Sequence, residues 1–340
     1  MIRKPLSRTT LIVVYILLTI SIPALVLIVA YVLIMLGWGT GLIGDPPPPT
    51  YYAVAWNPNG KELIVAGKGL WLLSDAFQEQ AHLKLPDTFG ERVVTWSPDA
   101  QSIWVAMDGQ VLEWDPQSQK LITVIDKSNK ISSIDWSPDS QKLVTGTTNK
   151  SVQIWNASDR ILLQTLAGHT TAVRVVTWNP QKLTEVASGD DSGDVKIWDI
   201  GRSVALHSID SDARLITALA WSPDGRKIAI GDSNGIVKVF DVRSGQITFS
   251  TTQSKVGFIV DIAWNPANES VIAVAYSTSV YLWDIDSNTL LKTLNLGDRA
   301  VTSLSWNAIN TTLAVAFIDS RISLWNTTTG NKLSEKRLEN

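Results

Sequence analysis

The side chains with most capacity for chemistry are three histidines, His82, His169 and His207, and one acidic run, Asp190-Asp191-Ser192-Gly193-Asp194. Three imidazoles leave little material for a histidine metal site. The acidic run has the composition of a calcium loop but lacks the bidentate Glu at its twelfth position, so it reads as a turn between strands. The chain has no cysteine, which removes disulfides, thiolate metal sites and a thiol nucleophile. No motif suggests a Ser-His-Asp constellation, and no P-loop is present. These patterns call for no cofactor, no metal ion and no catalytic residue.

Bulk composition narrows the class further. Across 340 residues, 45% are apolar and 18% charged, with 29 Lys and Arg against 32 Asp and Glu for a net charge of −3. That is too apolar for a disordered chain and long enough to bury a large core. It also lacks the basic surplus of a nucleic-acid binder, so no nucleic-acid partner is expected. Fifteen tryptophans are the anomaly, and their spacing marks the architecture.

The first fifty residues form a separate region. Residues 1–10 carry Arg3, Lys4 and Arg8 and no acid. Residues 11–36 contain no charge and consist mostly of Leu, Ile, Val and Ala, interrupted by Pro23. As a helix at about 1.5 Å per residue this run spans roughly 39 Å, more than the ~30 Å hydrocarbon core of a bilayer. The spacing predicts a single-pass transmembrane signal-anchor helix that takes the lipid bilayer as a partner. Basic residues before the run and none after it until Lys61 put the tail in the cytoplasm and the rest on the extracytoplasmic side. Two readings compete. A cleaved secretory signal is shorter and ends in an A-x-A-like site, and a buried core helix rarely runs so long without charge. Residues 37–50, Gly-rich and ending in Pro46-Pro47-Pro48-Pro49, read as a semi-rigid stalk. Trp38 suits the interfacial belt next to a span.

From residue 51 one unit recurs. Trp-(Ser/Asn)-Pro appears at Trp56, Trp96, Trp136, Trp178, Trp221 and Trp264, and Trp306-Asn307-Ala308 is a seventh copy without the proline; the intervals run from 40 to 43 residues. An apolar run ending in an aromatic and then Asp or Asn follows each time, at Trp114, Trp155, Trp198, Phe240, Trp283 and Trp325, with Leu73 in the aromatic's place in the first unit. Period-2 runs of four or five residues broken by Pro and Gly exclude helical repeats of similar length. Each unit reads as four short strands, the inner ones nearly continuous in apolar residues and the last one alternating.

These two markers resemble the WD-repeat (WD40) family of β-propellers over residues 51–338. The resemblance implies an all-β fold: a seven-bladed β-propeller of four-stranded antiparallel blades, here preceded by one transmembrane α-helix. It also implies a hydrogen-bonded tetrad in each blade. Only the unit with Gly168-His169 matches it, through His169, Ser188, Trp198 and a turn acid shifted to Asp191; Asp108 and Asp319 hold turn positions in units without the histidine. The tetrads are therefore degraded, and the first-strand tryptophans are expected to carry more of the packing between blades. Residues Asn331 to Leu338 must supply the last outer strand, because the anchor and prolines occupy the place of an N-terminal latch.

The resemblance further implies docking of partners where first strands begin. Lys130, Arg174, Arg214, Phe258 and Arg299 stand there, among Glu91, Asp212 and Asp298. The expected function is a membrane-anchored scaffold that binds a protein or peptide through this loop face, without catalysis. The alternative is a small-molecule sensor or propeller enzyme using the central channel. A cytoplasmic propeller, as in most of the family, is a further possibility. Five N-x-(Ser/Thr) triplets, at Asn149, Asn156, Asn268, Asn310 and Asn326, matter only where exported chains are glycosylated.

Overall fold

The computed structural model describes residues 52–85, 93–107, 109–125, 130–212, 215–251, 257–297 and 299–338. The expected tail, anchor helix and stalk lie outside these residues. Among the described residues no helix is long and apolar enough to cross a membrane.

The described residues form twenty-eight strands in seven four-stranded sheets, each a simple antiparallel meander of four consecutive strands. The blades cover residues 53–84, 93–125, 131–167, 173–210, 216–250, 259–294 and 301–337. A meander puts the turns after the first and third strands at one end of each blade, and the turn after the second at the other. Below, the end where first strands begin is the loop end, and the opposite one is the turn end.

Burial grades outward as the composition requires. Second strands are almost wholly buried: Val271–Tyr276 (VIAVAY) and Ile103–Met107 (IWVAM) have no exposed residue. A strand covered on both faces has no use for alternation, so it reads as a continuous apolar run. Fourth strands face solvent, as in Leu162–Ala167, where only Leu166 is buried.

Seven apolar clusters hold the ring, one at each contact between neighbouring blades. Trp96 and Trp114 of blade 2 pack with Ile64, Leu70 and Leu72 of blade 1. Trp178 and Trp198 of blade 4 pack with Val144, Val152 and Ile154 of blade 3. All seven first-strand tryptophans are buried. Both signature aromatics of a blade therefore face the blade before it, which is why the two markers share one period.

Ser and Asn in the Trp-(Ser/Asn)-Pro turns do different work. The Ser hydroxyl donates to the Asp two residues on, in Ser97–Asp99, Ser137–Asp139 and Ser222–Asp224. In two turns the longer Asn side chain crosses to the next blade: Asn179 Nδ2 donates to the Gly225 carbonyl at 2.9 Å, and Asn307 Nδ2 to the Gly60 carbonyl at 2.8 Å, whereas Asn57 Nδ2 donates to Glu62 of its own blade. Both glycines have positive φ, and a Cβ on Gly225 would lie 2.2 Å from Asn179 Oδ1. Glycine is needed there for conformation and for space.

The ring closes without strand exchange. Asn331–Arg337 is the fourth strand of blade 7, paired with Arg321–Asn326, as expected from the tail. Blade 1 then packs on blade 7 through Tyr52, Trp56, Ala314, Ala316, Ile322 and Leu324. Hydrogen bonds add to this contact: Tyr52 Oη to Ser320 Oγ at 2.8 Å, Thr302 Oγ1 to the Tyr52 carbonyl at 2.6 Å, and Lys336 Nζ to the Phe77 carbonyl at 2.9 Å.

Candidate functional site

The histidine held in a buried hydrogen-bonded network is His169, just before the first strand of blade 4 (Val173–Trp178). A directional chain of hydrogen bonds runs through it. Trp198 Nε1–H donates to Ser188 Oγ at 2.8 Å, the Ser188 hydroxyl to His169 Nε2 at 2.6 Å, and His169 Nδ1–H to Asp190 Oδ2 at 2.9 Å. The roles of the two ring nitrogens follow from the fixed donor on Trp198. Burial lowers the His169 pKa, outweighing the opposing pull of Asp190, and keeps the ring neutral. Burial works against ionisation of Asp190, but hydrogen bonds from Ser192, His169 and the Asp194 amide hold its pKa below the usual carboxylate value.

The acid of this tetrad is Asp190, not Asp191. Ser188 and Asp190 are two residues apart on the strand Glu185–Asp190, and side chains two apart share a face. Asp191 projects the other way, where it takes both donors of Arg174, Nε at 2.6 Å and Nη2 at 3.1 Å. His169, Asp190 and Asp194 also form the one described group of His and acids close enough to share a cation. Their donors and acceptors are already committed, since Asp194 pairs with Lys196 and Ser208. This network is structural. Elsewhere the tetrad survives in part in blade 3, where Trp155 Nε1 donates to Thr145 of the second strand; in blade 7 Trp325 Nε1 donates instead to Ser323, two residues back on its own strand.

His82 and His207 lie in the fourth strands Glu79–Lys84 and Val204–Asp210. They pack on aromatic rings, His82 stacked on Trp71 at 4.8 Å and His207 against Phe240 at 5.2 Å. One motif escaped the sequence reading. Gly231-Asp232-Ser233-Asn234-Gly235 has the G-x-S-x-G spelling of a hydrolase nucleophile elbow. That elbow needs a strand-to-helix turn, whereas here a tight turn joins the strands Lys227–Asp232 and Val237–Asp241. Asp232 Oδ1 accepts from the Asn234 and Ile236 amides, so Asp232 caps the turn.

First strands line the central channel, and several of their polar side chains hold blades together. Asp135 Oδ2 of blade 3 accepts from the Trp178 amide and the Thr177 hydroxyl of blade 4, at 2.7 and 3.0 Å. Asp261 Oδ2 of blade 6 accepts from the Leu304 amide and the Ser303 hydroxyl of blade 7. Ser305 Oγ then accepts from the Trp56 amide of blade 1. Each contact satisfies amides on the open inner edge of the next blade. Burial raises the Asp261 pKa to about 6 against the donors it meets. With a folded pKa above the unfolded one, the folded protein binds more protons between about pH 4 and 6. Its contribution to stability thus falls as pH rises through that window. Asp261→Asn should abolish this dependence, so the difference in urea midpoint between variant and parent should change from pH 4 to 6 and be flat above pH 7. A difference constant across the range would refute the assignment.

The four described loop-end residues stand at four different blades. Lys130 is exposed, with φ of +52°, and has no ion pair among the described residues. Arg174 is engaged with Asp191. Arg299 is bound to Glu335 at 2.8 Å and lies over the Phe317 ring. Phe258 is 52% exposed, and Arg214 lies outside the described residues. Ion pairing thus neutralises two cations that sequence alone leaves free.

Comparison with known proteins places this architecture. Residues 92–338 match the family described as the IFT122 first beta-propeller. The fission-yeast WD repeat-containing protein slp1 is 27% identical over 70% of this chain and 49% of its own length. Cell division cycle 20.1, cofactor of APC complex, from Arabidopsis thaliana, is 26% identical over 73% of this chain and 57% of its own. The chain therefore spans about half the length of these relatives. A chain from a crystal structure of the mitotic checkpoint complex superposes with a TM-score of 0.66 over 73% of this chain and 77% of its own, at 23% identity, which speaks for the fold. Repeat period, seven closed blades and family match agree: the chain belongs to the IFT122 first-β-propeller family of WD-repeat proteins.

Proposed function

We propose that this protein is a membrane-anchored WD-repeat scaffold that binds a protein or peptide at the loop end of the ring and performs no catalysis. In this reading residues 1–10 are a cytoplasmic tail, 11–36 the signal-anchor span, 37–50 the stalk and 51–338 the displayed propeller. One observation carries the binding role. The polar groups of the channel wall that a ligand could use, Asp135 and Asp261 above all, are consumed by contacts between blades, while Phe258 and Lys130 remain exposed at the loop end. A rigid ring with committed interior groups and open loops suits recognition of a macromolecule. Two relatives support a protein partner by their names, one a cofactor of a complex and the other part of a checkpoint complex. The span and its orientation rest on the uncharged run and the basic residues before it.

Two measurements test this reading. A reporter active only outside the cytoplasm, fused after Asn340, should be active in intact cells; an active cytoplasmic-only reporter would reverse the topology. Cross-linking on membranes should capture a specific protein, and Lys130→Glu with Phe258→Ala should lower the yield about tenfold, the loss typical of an exposed anchor pair. An unchanged yield would move the site elsewhere.

A further inference from the structure

The turn end of the ring is apolar where the loop end is not. Apart from Phe258, every large hydrophobic side chain that is strongly exposed among the described residues lies in a turn at that end or in the first half of a fourth strand. The densest group is Ile161, Leu162 and Leu163 of blade 3, three consecutive residues exposed by 40–58%. Across from them stands Leu183, 47% exposed, in the first turn of blade 4. Between the two blades runs a groove of about 650 Å³ walled by Leu163, Leu183, Ile200 and Gln164, a volume suited to side chains of a bound segment. Lys142 also lines it and has no carboxylate within ion-pair distance among the described residues.

The strand beside this groove is poorly defended. Leu162–Ala167 is the outermost strand of its sheet, so one backbone edge has no strand partner. Outer strands are normally guarded by charge, Pro or shortness. Five of the other outer strands carry a charged residue, and the sixth, Gln246–Ser250, is shorter and exposes a single large apolar residue, Ile247. Leu162–Ala167 reads LLQTLA, with no charge and no proline.

We infer that blade 3 accepts an extended acidic–apolar peptide of a partner protein as a fifth strand along Leu162–Ala167, with an apolar side chain in the groove and a carboxylate at Lys142. Backbone hydrogen bonds along the open edge supply affinity, and alternate side chains entering the groove supply selectivity. Lys142 is the one charged residue lining the groove, beside the uncharged Gln164, Thr184 and Ser203, and it selects the acid. This surface is separate from the loop end and does not depend on the reading above.

A random 16-residue peptide library displayed on phage and selected against the full chain in detergent tests the inference. The enriched pool should combine alternating Leu, Ile or Phe with Asp or Glu. Leu163→Glu and Leu183→Glu should each weaken binding of a synthetic enriched peptide tenfold or more. Lys142→Glu should turn selection toward basic peptides, and a mid-peptide proline should abolish binding. Both leucines are on the surface, so melting temperatures should stay within a few degrees, and Lys130→Glu with Phe258→Ala should leave peptide binding unchanged. A pool without this pattern, or binding indifferent to Leu163→Glu or to proline, would overturn the inference. So would a concentration-dependent dimer dissolved by Leu162→Lys, since that face would then be an interface between copies.

Discussion

Replacing Asp190 with Ala is expected to destabilise the folded protein by about 3–5 kcal/mol, whereas replacing Asp191 should cost less than about 1 kcal/mol. The neighbours differ only in which face of the chain they take. Asp190 is fully buried and accepts from the His169 ring, the Ser192 amide and hydroxyl, and the Asp194 amide. Its removal leaves those donors without an acceptor away from water, which is the expensive outcome. Asp191 holds only the exposed Arg174. Urea midpoints of the two variants measure the contrast, and equal losses would mean that the network is not fully formed in solution. The linked pH effect has a definite sign. The His169 pKa is lowered from 6.5 in the folded state, so below that pH the unfolded chain binds the proton more readily and stability falls on acidification. The Asp190 contribution is present above 3.8 and is lost as pH falls through its lowered pKa. His169→Gln should flatten the first of these slopes and also move the second, because the His169 hydrogen bond is one of the contacts that lower the Asp190 pKa.

Tyr52→Ala should cost about 3–5 kcal/mol, and the damage should concentrate where blade 1 meets blade 7. Tyr52 is 1% exposed, stands 6.2 Å from the Trp71 ring and is so tightly held that a Cβ on Gly67 would fall 2.0 Å from its ring. Its hydroxyl and carbonyl are both bonded to blade 7. Because no strand is shared across this contact, only side-chain packing and a few hydrogen bonds keep the ring from opening there. Hydrogen exchange in Ala53–Trp56 and Arg321–Asn326 should accelerate more in the variant than in Val173–Trp178, on the far side of the ring. Uniform acceleration around the ring would show that the closure is no weaker than its other contacts. Tyr52→Phe, which keeps the ring and loses only the bond to Ser320, should cost about 1 kcal/mol.

Blade number and strand order were legible because they are repeated seven times over. A buried indole at the end of each first strand and an aromatic near the end of six of the seven third strands give two markers with one period, and no packing detail is needed to count them. The single tetrad was legible too, through Gly168-His169, Ser188 and Trp198. Its acid was misplaced by one residue, since strand ends are the least readable feature of a sequence and a shift of one exchanges the two faces. The loop-end cations illustrate a second limit: Arg174 and Arg299 are free on paper, but their partners Asp191 and Glu335 lie 17 and 36 residues away.

Periodicity along the chain thus dictated the sheets, their count and the alternation of buried and exposed strands, since these depend on hydrophobic order between near neighbours. Folding in space decided the rest. It chose which acid meets His169, gave Ser and Asn turns their separate duties, and tied Asp135 and Asp261 to the next blade. It also closed the ring through Tyr52 and left Leu162–Ala167 uncovered beside Lys142. Each of these depends on contacts between residues of different strands or blades, and the geometry of such contacts is fixed only when the sheets stack about a common axis.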